Sequence, residues 1–470
     1  MKTLRLISLS IILCTLSVVA LAQSNETLIR NATIMTASHG TITNGSILIR
    51  DGKIVAVDKA DKVQASPNAR VIDATGMYVT PGFIDSHSHT ALDSINEGSL
   101  SVTAMVRMRD MLDPTNINIY RQLSGGVTMA QLLHGSANPI GGQSAIIKLR
   151  WGHAAEDMKL EGAPGFIKFA LGENVKQSNW GDASRIRFPQ SRMGVEQVYY
   201  DFFTRAREYT LNQQAFMKES DKLKKSAFRR DLELETIAEI LSKKRFITCH
   251  SYVQSEINML MHVADSFGFK VNTFTHILEG YKVADKMKLH GVSASTFADW
   301  WAYKNEVMDA IPFNAAILTR MGVNTSVNSD DAEMARRLNQ EAAKAIKYGG
   351  LSETEALKLV TLNPAKMLHV DDKVGSIEVG KSADLVLWTD NPMSVYATAD
   401  KTFIDGLIYF DREQDAKLKE YIKAEKARLI AKLLAEKQKG SKVVKPQSKQ
   451  QRLYHCNTLE GVEEALTGQR

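Results

Sequence analysis

Short apolar runs separated by glycine-containing turns open the chain. Within residues 26–79 these runs include LIRNATIM, GSILIRDGKIVAV and ARVIDATGMYV, split by Asn-Gly, Asp-Gly and Thr-Gly pairs. Such pairs between apolar runs are typical of β-hairpins. A similar pattern returns at residues 375–410. Two β-segments on either side of one long body of chain predict a small β-sandwich built from both chain ends, over residues 23–80 and 366–410.

The body between these segments alternates short apolar runs with helical patterns, such as those at 195–243 and 332–349. Eight runs have the length of a strand, at 83–87, 127–132, 144–149, 165–171, 246–250, 271–276, 291–295 and 322–327. Strands alternating with helices predict a parallel sheet, and eight repeats predict a (β/α)8 TIM-type barrel over residues 81–365. A doubly wound α/β sheet is the alternative, but no G-x-G-x-x-G follows an early strand.

The two termini carry distinct patterns. Lys2 and Arg5 precede an apolar run at 7–21 and an A-L-A sequence at 20–22, which predicts a cleaved signal peptide over residues 1–22 and a periplasmic or secreted protein. The alternative is a membrane anchor, but the run is short, and no later segment reaches ~18 uncharged apolar residues. Residues 411–470 are predicted to form a charged helix and a tail, the helix packing on the sandwich through one apolar stripe.

Composition argues against a nucleic-acid partner and against a disulfide framework. The chain has 470 residues, a 44% hydrophobic content and a formal net charge of +6. This modest excess, without a zinc knuckle or a basic-aromatic platform, argues against a nucleic-acid partner. After residues 1–22 only Cys249 and Cys456 remain, far apart in sequence, so a disulfide framework is not predicted.

The most informative stretch is VTPGFIDSHSH at residues 79–89. In a strand, alternation sends Asp85, His87 and His89 to one face and the intervening serines to the other. Two imidazoles two residues apart at the end of a strand can bind one metal ion, and imidazole suits zinc and its neighbours. The alternative is a pair of surface histidines without a ligand.

Three further strands end in residues that can bind a metal. The run FITCH ends in His250, VNTFTH ends in His276, and Asp330 follows VNTSV. A barrel enzyme collects its active site from the carboxyl ends of its strands, so these side chains are candidate ligands together with His87 and His89. Five other histidines do not fall at strand ends, namely His39, His262, His290, His369 and His455. His134 directly follows the second strand and is a candidate substrate contact.

The fourth strand, GFIKFALGEN, offers two competing ligands. Lys168 lies among apolar residues, where a free ammonium is costly to bury. A buried neutral lysine can react with carbon dioxide, and the resulting carbamate has two oxygens that can bridge two metals. Glu173, in the turn after the strand, is the alternative carboxylate. We favour Lys168 over Glu173, and a mononuclear site is expected if neither binds.

As a set, these motifs resemble the amidohydrolase superfamily over residues 28–410. The resemblance is carried by PGFIDSHSH, HGSANPIGGQ, GFIKFALGEN, HILEGYKVAD and the closing segment LSETEALKLVTLNPAKML, and is nearest to secreted imidazolonepropionase-like amidohydrolases of Gram-negative bacteria. It implies a barrel inserted into the sandwich, and metal ligands in the order His87, His89, Lys168 or Glu173, His250, His276, Asp330.

The expected reaction is hydrolysis by a water molecule whose pKa is lowered by one or two divalent metal ions. Zinc is the ion expected for ligands of this type. Asp330 is expected to orient that water and carry its proton to a leaving nitrogen, with His276 as metal ligand or as contact for the developing oxyanion. Tyr281 and Lys282, after His276, are candidates for a substrate carboxylate. The predicted substrate is a small amide, cyclic amide or peptide-like molecule. A deaminase, a lactonase, or a non-catalytic binding protein are the alternatives, and a homo-oligomer is left open.

Overall fold

The structure is a computed structural model and describes residues 26–92, 94–176, 187–220, 228–300, 303–442 and 444. The predicted signal peptide at 1–22 lies outside the described residues, as does most of the predicted tail. Within the described part, no helix is both long enough and apolar enough to cross a membrane.

The strands, in chain order, are β1 (Glu26–Met35), β2 (Thr41–Arg50), β3 (Lys53–Lys59), β4 (Arg70–Asp73), β5 (Tyr78–Pro81), β6 (Phe83–Ser88), β7 (Val127–Leu132), β8 (Ile140–Gln143), β9 (Ala145–Lys148), β10 (Gly165–Ala170), β11 (Arg245–Ser251), β12 (Thr273–His276), β13 (Ser293–Thr296), β14 (Thr325–Val327), β15 (Leu385–Trp388), β16 (Ala399–Ile404) and β17 (Leu407–Asp411).

The α-helices are α1 (Ile117–Leu123), α2 (Ala155–Met158), α3 (Arg192–Lys218), α4 (Leu232–Leu241), α5 (Gln254–Phe267), α6 (Ala284–His290), α7 (Asn314–Arg320), α8 (Leu338–Gly349), α9 (Glu353–Lys358), α10 (Leu362–Met367) and α11 (Arg412–Gln438). The Ser352 hydroxyl and the Glu355 carboxylate form a capping box at the start of α9, which satisfies two backbone N–H groups reciprocally.

Both ends of the chain enter one eight-stranded sheet, hereafter the end sheet. Its order is β17-β16-β15-β5-β1-β2-β3, with β4 paired to β1. The junction is the antiparallel pair of β5 and β15, in which Pro81 lies opposite Leu385. The prediction that distant β-segments combine is therefore confirmed, while closure of this sheet into a sandwich stays a prediction.

The central body contains the strands that carry the candidate ligands. Strands β10 to β14 are parallel neighbours in a sheet of order β14-β13-β12-β11-β10-β8, and β6 pairs parallel with β7 in a second sheet. Helices α3 to α7 lie between successive strands from β10 to β14, as expected for parallel crossovers. The fold is mixed α/β, and closure of the two sheets into a barrel stays a prediction.

The third predicted barrel strand, at 144–149, does not fit that pattern. The structure pairs β9 antiparallel with β7, with Lys148 opposite Met129. The residues between β7 and β9 contain β8 and no helix, whereas the connection between parallel strands is usually a helix. The prediction of a parallel third strand was therefore wrong, because the connecting chain forms a strand that pairs with β10 and does not form a crossover helix.

Alternation within β11 shows how the sequence orients the site. Ile247 and Cys249 are buried in the hydrophobic core beneath the helices, whereas Thr248 accepts a hydrogen bond from Gln131 of β7 on the opposite face. His250 shares that face, because successive side chains of a strand point in opposite directions. Cys249 is a free, buried thiol, as the sequence predicts.

Helix α11 forms as predicted but does not pack along its length. Asp411 caps it by accepting hydrogen bonds from the N–H groups of Glu413 and Gln414. Near the base, Tyr120 donates to Asp415, and the helix contacts β16 and β17. None of its residues is buried. The prediction that the apolar stripe of α11 packs on the sandwich was therefore wrong beyond the first turns of this helix.

Candidate metal centre

Three buried side chains converge after the ends of separate strands. His87 lies in β6, His276 ends β12, and Asp330 follows β14. One ligand atom from each lies within 4.8 Å of the others. The carboxyl ends of parallel strands meet at one edge of a sheet, which explains how residues so distant in sequence come together.

Asp330 lies at the centre of this cluster. Its Oδ1 atom is 3.1 Å from His87 Nε2 and 3.0 Å from His89 Nε2, and its Oδ2 atom is 3.7 Å from His276 Nε2. The imidazoles of His87 and His89 therefore converge on one carboxylate oxygen, as expected for two residues on the same face of a strand.

Backbone geometry at two of these residues is unusual. His276 has φ 69° and Asp330 has φ 50°, the left-handed region that non-glycine residues rarely adopt, at a cost of about 1 kcal/mol each. The Asp330 N–H donates to the His87 carbonyl at 3.0 Å, which ties the loop after β14 to β6. Local strain of this kind is typical of functional sites.

A second carboxylate, that of Asp85, binds the residue before Asp330. Asp85 accepts hydrogen bonds from the Ser329 N–H at 3.1 Å and the Ser329 hydroxyl at 2.5 Å. Burial raises the pKa of Asp85 to about 6, although the Ser329 bonds oppose this. Asp85 therefore positions the loop that presents Asp330, which is a role that the sequence did not suggest.

Hydrogen bonds to the other ring nitrogens orient His87 and His89. His87 Nδ1 is 2.8 Å from Thr275 Oγ1, and His89 Nδ1 is 2.9 Å from the Leu133 carbonyl oxygen. A carbonyl only accepts, so His89 donates from Nδ1 and turns its Nε2 toward Asp330. Hydrogen bonds that fix the second ring nitrogen in this way are typical of metal-binding histidines.

His250 and His276 are fully buried, and neither ring has a hydrogen-bond partner in the part of the chain that the structure describes. Their ring centroids are 4.7 Å apart. A buried polar atom without a partner costs roughly 1–3 kcal/mol, so four such nitrogens together indicate a ligand from outside the chain. These orphaned imidazoles fit a divalent metal.

Burial keeps the imidazoles of the cluster neutral. It lowers the pKa of His87 and of His250 well below the ordinary value, and nearby cationic groups add to the effect. Burial also lowers the pKa of His276 to about 3, against the opposing charge of Asp330. Metal ligation requires neutral imidazole, so these rings are in the required state at neutral pH.

The two candidates on the fourth strand are in different environments. Lys168 is fully buried, with Nζ 3.2 Å from His87 Nε2, inside the cluster. Glu173 is partly exposed and forms ion pairs with Lys176 at 2.9 Å and Arg192 at 3.1 Å. Lys168 therefore lies against a ligand, whereas Glu173 is held by two cations.

The structure places the three candidate substrate contacts in local interactions. His134 accepts from the Glu97 N–H at 2.9 Å and donates from Nδ1 to the Gly135 carbonyl. The Tyr281 hydroxyl donates to the Asp309 carbonyl, and Lys282 pairs with the Asp309 carboxylate at 2.6 Å. Both ring nitrogens of His134 are thus occupied, so a polar contact from this ring to a substrate would replace one of its two hydrogen bonds.

Tyr252 and Lys304 are site neighbours that the sequence reasoning missed. Tyr252 is buried, its ring stacks 5.5 Å from that of His276, and its hydroxyl is 2.8 Å from that of Tyr303. Lys304 Nζ lies 4.1 Å from the centre of the Tyr252 ring. Alternation from His250 could have placed Tyr252 on the same face, but no pattern in the loop after β13 signals Lys304.

The site can be compared with proteins of known sequence. The profile of the amidohydrolase family matches residues 224–409. An amidohydrolase of Hapsidospora irregularis is 29% identical over 427 residues, which cover 82% of this chain and only 43% of that protein. An imidazolonepropionase of Thermoplasma volcanium is 24% identical over 400 residues, which cover 80% of this chain and 93% of that protein.

Comparison with solved structures gives a closer match. An amidohydrolase of Thermotoga maritima has a TM-score of 0.75 and 31% sequence identity, over 82% of this chain and 100% of that chain. Because the likeness in sequence and in structure extends over the full length of that protein, this chain belongs to the amidohydrolase family.

Proposed function

We propose that this enzyme hydrolyses a C–N bond in an amide, cyclic amide or peptide-like substrate, using water activated by a divalent metal. The observation that carries the proposal is the set of buried imidazoles with orphaned ring nitrogens beside Asp330. The family relationship supports the reaction type, and the substrate class rests on the names of relatives, which include imidazolonepropionases.

The fold proposed for this function is the (β/α)8 barrel flanked by a β-sandwich. Contacts between the two central sheets support closure on one side, since Ser86 Oγ in β6 lies 2.9 Å from Ser295 Oγ in β13 and 3.1 Å from Ser326 Oγ in β14. On the other side, Gln131 of β7 donates to Thr248 of β11 at 3.3 Å.

The proposed ligands are His87, His89, His250, His276 and Asp330, with zinc as the default ion for such a nitrogen and oxygen set. Lys168 would join them as a carbamate. In that reaction its amine nitrogen forms a bond to carbon dioxide and releases a proton, and the product has two oxygens for a two-metal site. Glu173 is the less favoured alternative, because it is already ion-paired.

The metal would supply a more acidic water and a polarised substrate carbonyl. The chain's own residues would then handle the proton. Asp330 would accept it from the attacking water and deliver it to the leaving nitrogen. Burial favours the protonated acid, but the hydrogen bond with His89 and the proximity of His276 hold the pKa of Asp330 below its ordinary value, so the carboxylate is ready to act as a base.

His276 would stand beside the reacting carbonyl as ligand or as oxyanion contact. Two aromatic neighbours limit the movement of its buried ring, which lies 4.6 Å from the ring of Phe297 and is stacked on Tyr252. A dry and rigid surrounding strengthens electrostatic interactions with the developing charge.

Metal content of protein purified without chelator tests the proposal first. We expect one or two zinc ions per chain by elemental analysis, together with hydrolysis in a panel of dipeptides and cyclic amides. Two ions, reduced by Lys168→Ala and unchanged by the control Glu173→Gln, would support the carbamate. Loss only in Glu173→Gln would favour the carboxylate. A metal-free chain without turnover would contradict the proposal and favour a binding protein.

The panel should also contain aminopurines and lactones, since deamination or lactone opening without amide cleavage would replace the proposed reaction with one of its alternatives. We further propose a periplasmic or secreted location, supported by the pattern of residues 1–22. Amino-terminal sequencing of the protein from cells should then begin at Gln23, and an intact Met1 terminus would overturn it.

A further inference from the structure

Helix α11 presents an apolar face that nothing in the described part of the chain covers. Three of its large side chains, Ile422, Leu429 and Leu433, are 60%, 50% and 51% exposed. They line one continuous groove along the helix. An apolar surface of this kind on a long helix marks an interaction site, and the family match ends at residue 409, before the helix begins.

The helix is firmly attached at its base and projects from there. Lys401 pairs with the capping Asp411 at 2.9 Å, and Arg412 pairs with Asp400 at 3.1 Å. At 1.5 Å per residue, its 27 residues extend about 40 Å. A rigid helix of this length offers enough surface to pair with another helix.

The groove residues follow the spacing of a coiled-coil seam. Ile422, Lys426, Leu429, Leu433 and Glu436 are separated by four, three, four and three positions, and all five line the groove. This alternation keeps one seam facing a partner helix over successive turns. Two of the seam positions carry charges of opposite sign, and these charges restrict the partner.

We propose that α11 pairs with α11 of a second copy of this chain, antiparallel, about a two-fold axis level with Ala431. In this register Leu429 lies opposite Leu433 of the second copy, and Lys426 lies opposite Glu436. A parallel pair would instead place each Lys426 against its copy and each Glu436 against its copy, which is unfavourable inside a seam. The charge pattern therefore selects the antiparallel homodimer.

A membrane surface is the competing occupant of an exposed apolar helix face. Glu425 and Glu436 lie within the groove, and carboxylates on the apolar face oppose insertion into an anionic interface. The same Glu436 becomes favourable opposite a lysine of a second copy. The helix dimer is therefore the occupant that gives both charged seam residues, Lys426 and Glu436, a partner of opposite sign.

Sedimentation equilibrium of the full chain without residues 1–22 tests the proposal. We expect a dimer, which becomes a monomer in Leu429→Glu. The matched control is Leu434→Glu, which changes a residue of similar exposure outside the groove, 53% against 50%, and should leave the dimer intact. Circular dichroism should show unchanged helix content in both variants. A monomeric parent chain, or equal effects of both substitutions, would overturn the proposal.

A charge exchange tests the register. Lys426→Glu and Glu436→Lys should each weaken the dimer about tenfold or more, because like charges then face each other. The variant with both substitutions should recover the parent affinity. Failure of this recovery would overturn the antiparallel register. Co-sedimentation of a monomeric parent chain with phosphatidylserine vesicles would replace the dimer with the membrane surface.

Discussion

Two polar clusters in this molecule are built on opposite principles. The candidate metal centre contains His250 and His276, whose ring nitrogens have no hydrogen-bond partner among the described residues. The second cluster, hereafter the ion cluster, consists of Lys148, Arg150, Asp384 and Asp405. Lys148 Nζ lies 2.9 Å from Asp384 and 2.5 Å from Asp405, and Arg150 lies 2.6 Å from Asp405.

This difference distinguishes polar groups that stabilise the fold from polar groups that form a functional site. In the ion cluster every charge meets an opposite charge, and the cluster joins β9 of the central body to loops of the end sheet. In the metal centre the chain leaves polar atoms unsatisfied and backbone strained. Buried polar groups without partners are costly, so a site that retains them is organised for a group that the chain does not itself provide.

The largest expected effect is on activity at Asp330. Replacing Asp330 with Asn removes the proposed base, and kcat should fall about 10³-fold. The control is Asp331→Asn, because Asp331 only accepts hydrogen bonds from the N–H groups of Glu333 and Met334, and its loss should leave kcat within twofold. Steady-state kinetics on any cleaved substrate, with the melting temperature of both variants, checks this. Equal kcat values in both variants would refute the assignment.

In the ion cluster we expect a substitution to lower stability and to leave activity unchanged. Lys148→Met leaves the buried Asp384 without its cation and should lower the free energy of unfolding by about 3–5 kcal/mol. The kcat of the folded fraction should not change. Urea denaturation gives the stability. Adding Asp384→Asn should recover part of the loss, and no recovery would show that the two side chains act independently.

A third effect links protonation to stability at His134. Burial lowers the pKa of His134 to about 4, below the value of an unfolded histidine near 6.5. The unfolded chain therefore binds one more proton between these values, and stability falls as pH decreases from 6.5 to 4, by up to about 3 kcal/mol.

The variant His134→Gln should reduce the slope of this part of the stability profile, because it removes one of the buried rings whose pKa is lowered. Urea denaturation at several pH values between 4 and 7 measures the slope in both proteins. A slope that is identical in the variant would mean that His134 does not contribute, and that the acid sensitivity arises from other groups.

The smallest expected effect is at Tyr252. Tyr252→Phe removes the hydroxyl bond with Tyr303 and should cost about 1 kcal/mol of stability, while the ring still stacks on His276. Metal content should therefore remain unchanged. Tyr252→Leu removes the stacking as well and should weaken metal retention during dialysis. Equal metal loss in both variants would show that the hydroxyl, and not the ring, supports the site.

Most of the site was predictable because it depends on local patterns. Alternation in β6 places His87 and His89 on one face, and strand ends predict His250, His276 and Asp330. The preference for Lys168 also follows from its apolar neighbours, and the structure places its Nζ beside His87. The ion pair of Glu173 with Arg192 was not predictable, because Arg192 lies on a different element, the helix α3.

Two dipeptides that are typical of turns had different outcomes in the structure. Asp51 and Gly52, with φ 49° and 77°, form the predicted turn between β2 and β3. Asn44 and Gly45 carry the same signal but lie inside β2, where Gly45 pairs with Ala32 next to a register shift. A turn dipeptide specifies local dihedral angles, whereas the neighbouring strand decides whether the chain reverses there.

The sequence by itself determined the types of the candidate ligands, their order along the chain, the faces on which they lie and the helical nature of the carboxyl-terminal segment. Only the tertiary structure decided the antiparallel course of β9, the left-handed backbone at His276 and Asp330, and the exposure of α11. The physical reason is the range of the interactions involved. Periodicity and capping act within a few residues, whereas strand direction, backbone strain and burial depend on contacts between residues that are far apart in sequence.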